Sequence, residues 1–164
     1  MGGKIPYYLD FAENDYASII TGYDAGARGG LICFMCQKTC ERYLKFAIQL
    51  FPYEEAPAHV MQSQDLCVLC EHIKSIEQSG WELGADWDKI IKVNKYNSNV
   101  IYPGPDSFIA TAKDADECVD ALKYTREIIL RFVGKHLGGP MYVIGFDEPI
   151  IPEWEQLADL ADGI

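Results

Sequence analysis

The stretch Gly30 to Phe51, GLICFMCQKTCERYLKFAIQLF, decides the fold. Cys33, Cys36, Cys40, Tyr43 and Ala47 recur at three- and four-residue spacing and form one apolar stripe. Ile32, Met35 and Phe46 widen it beyond what a surface helix carries, so the spacing predicts a helix covered on most sides. Beside the stripe runs a second line, Phe34, Gln37, Glu41 and Lys45. The last three sit four residues apart, so their side chains stack along one edge, with Glu41 ahead of Lys45 in the favourable order for an ion pair. An unpaired buried polar atom costs about 1–3 kcal/mol. This line is therefore expected to find partners in a neighbouring element or a second subunit, which makes Gln37, Glu41 and Lys45 candidate binding residues.

Working outward, a first helix is predicted from near Pro6, with Leu9, Ala12, Tyr16, Ile19 and Tyr23 as its seam and Asp10, Glu13, Asn14 and Asp15 on its wet side. The turn Tyr23 to Gly30, with three glycines, lets the chain reverse, so the first two helices run antiparallel. Pro52 and Pro57 stop the central helix and open a linker to Met61. Ser63 and Asp65 suit the start of a third helix with Leu66, Leu69, Cys70, Ile73 and Ile76 inward and Gly80 at its end. A brief helix is expected near Asp86 to Ile91, then a loop from Asn97 to Pro105. Thr111 and Asp114 resemble a capping box for a last long helix, in which Ala115, Cys118, Leu122, Ile129 and Phe132 face inward and Gly134 is the stop. Beyond Gly138-Gly139-Pro140, Met141 to Phe146 reads as strand-like, and Pro152 to Ala161 as a small acidic helix with Trp154, Leu157 and Ala161 on one side. The expected architecture is all-α: an antiparallel bundle of four to five helices over residues 1–134, with a short C-terminal extension over 135–164 docking on it.

At 164 residues the chain suffices for one domain with a real core, and 49% hydrophobic residues exclude a disordered chain. No apolar run approaches the roughly 20 residues that span a bilayer, so no membrane role is expected. The opening residues lack a signal-peptide pattern and a myristoylation signal, which leads to an expectation of a cytoplasmic protein. A net charge of -11 argues against gripping nucleic acid through the overall field, so DNA is not an expected partner and any RNA contact would be local. Lys123, Arg126, Arg131 and Lys135 gather along the last helix, an arrangement its dipole favours near the C-terminus.

Several pieces in order resemble the HEPN family, a helical family named for presumed nucleotide binding. Tyr8-Leu9-Asp10-Phe11-Ala12-Glu13-Asn14-Asp15 is similar to its opening helix, and Phe34, Gln37, Glu41 and Lys45 to its Phe-x-x-Gln-x-x-x-Glu-x-x-x-Lys line. Ser63-Gln64-Asp65-Leu66 resembles its Thr-His-Asp-Leu start, with Gln64 in place of His. Tyr96 through Ile101-Tyr102-Pro103 resembles a segment that usually ends Arg-Tyr-Pro, with Ile101 in place of Arg. The likeness spans about Tyr8 to Val133. It implies an antiparallel bundle that usually forms homodimers and often acts beside a minimal nucleotidyltransferase. Some members are metal-independent RNases whose site joins Arg-x(4-6)-His across the dimer, and Arg131 and His136 have that spacing here, although Phe132 stands where a polar residue is typical.

The chemistry open to the sequence is therefore short. An RNase reading gives His136 a proton-transfer role at the ribose 2′-hydroxyl and Arg131 the charge developing on phosphate. A binding or regulatory reading, antitoxin-like and without chemistry, fits the acidic charge and the departures at Gln64 and Ile101. A nucleotide site at Gly26 to Gly30 would use amides at a helix start, but the Gly-Lys-Ser/Thr ending of a P-loop is missing. The pairs Cys33/Cys36 and Cys67/Cys70 have the count of a four-thiolate zinc site, yet both lie in apolar helical patterns and read as core residues. No metal or cofactor is expected. Tyr96 and Tyr102 are candidates for stacking on a base or for capping the core, and His59 and His72 read as solvent-facing.

Overall fold

A computed structural model describes residues 7–137 and 142–148. The fold is an all-α bundle; among the described residues no strand forms. Its helices are α1 (Tyr8–Asp24), α2 (Gly30–Leu50), α3 (Ala58–Met61), α4 (Leu66–Ile76), α5 (Trp87–Ile91) and α6 (Ala112–Leu137), with one 3-10 turn over Ser98–Val100.

The apolar excess on Gly30 to Phe51 puts α2 at the centre, packed chiefly on α6 and α1, with α4 and the Ser98–Val100 turn against it as well. Cys33, Cys36, Cys40, Tyr43, Leu44 and Ala47 have no exposed surface. The turn between α1 and α2 requires its glycines: Gly26 and Gly29 have φ of 100° and 122°, where a side chain is strained, and a Cβ on Gly30 would stand 2.2 Å from the Val100 carbonyl oxygen. Asp65 caps α4 by accepting from the Cys67 amide at 2.9 Å. Thr111 and Asp114 form the expected reciprocal capping box at α6, with Thr111 N donating to Asp114 Oδ2 at 2.7 Å and Asp114 N donating to Thr111 Oγ1 at 3.2 Å.

Several expectations are corrected. Asp10 and Glu13 are buried, not on a wet side. Glu13 is 3% exposed and takes both arms of Arg126, at 2.8 and 2.9 Å, with the Tyr43 hydroxyl as a further donor. Asp10 accepts from Tyr7 N at 2.7 Å and from Ile144 N at 2.9 Å. Helix α4 ends at Ile76, and Gly80 (φ 84°) instead makes the tight turn between Gln78 and Trp81. The linker to Met61 contains the short α3, and the loop after Asn97 contains the 3-10 turn.

Gly134 does not stop α6, which continues to Leu137. A mid-helix glycine costs about 1 kcal/mol against alanine, and the aromatic cluster around it outweighs that: Phe132 stacks on Phe51 with centroids 5.2 Å apart, and His136 lies flat on Trp81 at 3.7 Å. Tyr142 to Phe146 is not a strand, because no neighbouring strand offers it a ladder. Its Val143 is buried and Asn14 Nδ2 donates to the Ile144 carbonyl at 2.5 Å, so the segment lies against α1. Met141 and the helix expected from Pro152 to Ala161 fall outside the described residues.

Candidate functional site

Gln37, Glu41 and Lys45 share one edge of α2, and all three are buried. Lys45 Nζ reaches Glu41 Oε2 at 3.0 Å, and Lys38, one position beyond Gln37, reaches Glu41 Oε1 at 3.5 Å. Gln37 is 1% exposed and donates Nε2 to the Gln64 carbonyl at 2.8 Å. Lys38 Nζ also donates to Gln64 Oε1 at 2.9 Å. The row is therefore held indoors, but incompletely, since Gln37 Oε1 finds no partner and Glu41 Oε1 has only the long approach of Lys38.

Beside Lys38, next to this row but not lined by it, is a cleft of about 580 Å³ bounded by Phe34, Lys38, Gln64, Asp65, Asn94, Asn97 and Ser98. Three elements build it: one edge of α2, the residues before α4, and the turn that carries Asn94 to Ser98. Asn94 ties the last two together, accepting from Leu66 N and donating to Asp65 Oδ1, both at 2.8 Å. Of these lining residues the sequence singled out Phe34 at the head of the polar line, Gln64 as a substitution for His and Asp65 as a helix start, and read Asn97 and Ser98 only as loop. Lys38 was missed because it lies just off the Gln37-Glu41-Lys45 line, although a cation beside such a row is a readable signal.

Arg131 and His136 are not brought together within one chain. Five positions along one helix turn them about 140° apart, and each has its own setting. Arg131 bonds Glu127 Oε1 at 3.0 Å and lines a cleft of about 390 Å³ with Gly80, Glu82 and Lys135. His136 is sandwiched between Trp81 and the edge of Phe132. Burial, and then the neighbouring Lys135 charge, hold its pKa below the usual histidine value, so the ring is neutral near pH 7. Arg131 Nε and His136 Nε2 are buried atoms without partners.

Tyr96 and Tyr102 differ sharply. Tyr96 caps the core, 1% exposed, with its hydroxyl on Asp114 Oδ1 at 2.7 Å; burial and this bond raise its pKa. Tyr102 is 66% exposed. His59 is exposed, whereas His72 is half-buried, a correction of its solvent-facing reading, because α4 turns its Nε2 into the interior.

At the Gly26 to Gly30 turn, Arg28 is engaged with Asp116 at 3.1 Å and with the Tyr23 and Ala27 carbonyls. The Val100 carbonyl lies against Gly30, and its partial negative charge disfavours a phosphate at this helix start. Five of the six cysteines are buried, and all six are free. Burial pushes the Cys40 and Cys70 thiols up to about 12, which keeps them protonated and unreactive. Among the described residues no group of three or more His, Cys, Asp or Glu side chains is placed to hold a metal ion, and no helix is long and apolar enough to cross a membrane. The chain matches no protein-family model, no curated protein and no solved structure.

Proposed function

We propose that this chain works by binding rather than by chemistry: a HEPN-like helical module that pairs with a second copy of itself and acts with a partner of the nucleotidyltransferase type. The observation that carries the pairing is an apolar edge left in water. Tyr102, Phe108 and Ile109 are exposed, Ile109 at 90%, and they line one groove of about 340 Å³. Such clusters of large apolar side chains mark interaction surfaces. From Asn97 to Thr111 the only charged residue is Asp106, in a chain of net charge -11. A second copy carries the same charge, so it can approach only where charge is nearly absent, and this edge meets that condition. The nucleotidyltransferase-type partner rests on the family resemblance alone.

Light scattering on the full chain tests the pairing. The expected result is a dimer mass for the wild type and a monomer mass for Ile109→Asp with its helical circular dichroism unchanged; a monomeric wild type sinks the proposal. Co-elution with a minimal nucleotidyltransferase tests the second partner.

One observation favours a second reading, a metal-independent endoribonuclease: α6 runs unbroken past Gly134, leaving Arg131 Nε and His136 Nε2 without partners. Two copies would have to bring one chain's arginine to the other's histidine. RNA cleavage that survives in Arg131→Ala and His136→Ala removes this reading.

A further inference from the structure

We infer that the groove where α2 and α6 end and α1 begins takes a short segment of a partner protein, one that sets apolar side chains beside lysine or arginine. The apolar half of the argument is the lining. Tyr7, Phe46, Leu50, Ala56 and Leu137 bound a space of about 590 Å³, which takes several side chains rather than one. Tyr7 and Leu137 stand at its edges, 54% and 46% exposed. Large apolar side chains left in water around a groove with a polar rim mark a surface that another chain covers.

Charge selects that chain. The rim is Glu54 and Glu55, and among the described residues neither carboxylate has a hydrogen bond or an ion pair. No cation lines the groove. Helix α2 ends here at Leu50 without a basic residue in its last turn, so the negative end of its dipole adds to the two carboxylates. The positive groups nearby are engaged elsewhere: Lys135 of α6 lines the Gly80 cleft, and the positive end of α1 is met by Asp10, which accepts from Tyr7 N at 2.7 Å. The same charge disfavours the nearest alternatives. A second copy brings a net charge of -11, and residues 149–164 hold Glu153, Glu155, Asp159 and Asp162 with no Lys or Arg. The rim is also set before a partner arrives. The Tyr53 hydroxyl donates to the Ile76 carbonyl and its ring meets Phe51 edge-on at 5.9 Å, which anchors the chain just ahead of Glu54.

The experiment is fluorescence anisotropy of the full chain with a labelled peptide of leucine and lysine, its leucines at three- and four-residue spacing, and with the same peptide carrying glutamate for lysine. Saturable binding of the lysine peptide is expected, and none of the glutamate peptide. Glu54→Gln with Glu55→Gln, both in an exposed loop, is expected to weaken it about fivefold, the worth of two rim charges. Leu137→Ser is expected to weaken it about tenfold through lost apolar contact. The control is Glu117→Gln with Asp120→Asn, an equal charge change at exposed positions of α6, with an effect below about twofold. No saturable binding, unchanged affinity in Leu137→Ser, or equal losses in the two double variants would each overturn the assignment. Two further results would give the groove to another occupant and overturn it as well. Leu137→Ser turning a dimer into a monomer would assign it to a second copy, and Ile5→Ser strengthening the peptide would assign it to the chain's own opening residues. Peptide binding and the dimer mass of Ile109→Asp are separate readouts, so this groove and the apolar edge succeed or fail independently.

Discussion

Glu13 of α1 and Glu41 of α2 are both buried carboxylates, yet their surroundings differ. Glu13, reached from α1, has two arms of Arg126 from α6 and a tyrosine hydroxyl from α2 itself, so three helices meet on one matched charge. Glu41 is shared by Lys38 and Lys45 of its own helix, leaves a positive charge over, and sits next to a glutamine oxygen with no partner. The first arrangement joins elements distant in sequence. The second stays within one helix. Breaking a buried pair that joins helices strands a charge between them, while a pair within one helix keeps its partner however the helices pack.

Four measurements sharpen or break that contrast. The largest effect is expected from Arg126→Ala, which strands the Glu13 carboxylate at 3% exposure and should cost about 3–5 kcal/mol in urea unfolding; a loss below 1 kcal/mol, roughly that of an exposed pair, would mean that the cluster is not a fold determinant. Next is Tyr43→Phe, which removes one donor to the same carboxylate and should cost about 1.5–2 kcal/mol. Lys38→Met should change stability by less than about 0.5 kcal/mol, because Glu41 keeps Lys45 at 3.0 Å. A large loss there would make the row structural and erase the contrast. The smallest effect concerns His136. Its folded pKa is lowered, so the unfolded chain takes up the proton first as pH falls. The stability this group contributes is complete above the ordinary histidine value of about 6.5 and is lost as pH falls from there through the lower folded value. The melting temperature of the wild type should therefore drop more between about pH 7.5 and about pH 5.5 than that of His136→Phe.

How far the sequence reveals this depends on the distance between partners. Helix α2 is legible almost to the residue, because its signal is a local period, and so are the Asp65 cap and the Thr111/Asp114 box. Asp10 and Glu13 misread because a carboxylate looks solvated until its partner appears, and Arg126 is 113 residues away. Gly134 misreads for a related reason: its local cost is visible, while the grip of Trp81 on His136 is not. The candidate cleft is harder still. No single segment holds more than two or three of its lining residues, and the bonds of Asn94 to Leu66 and Asp65 that bring two of those segments together span almost thirty positions.

The buried pair on α1 also bears on the order in which the chain assembles. Asp10 and Glu13 leave the ribosome early, whereas Arg126 and the Ile144 amide follow more than a hundred residues later. Until those arrive, Asp10 has the Tyr7 amide and Glu13 the Tyr43 hydroxyl but no cation, so the buried charge of α1 is matched only once α6 has been made.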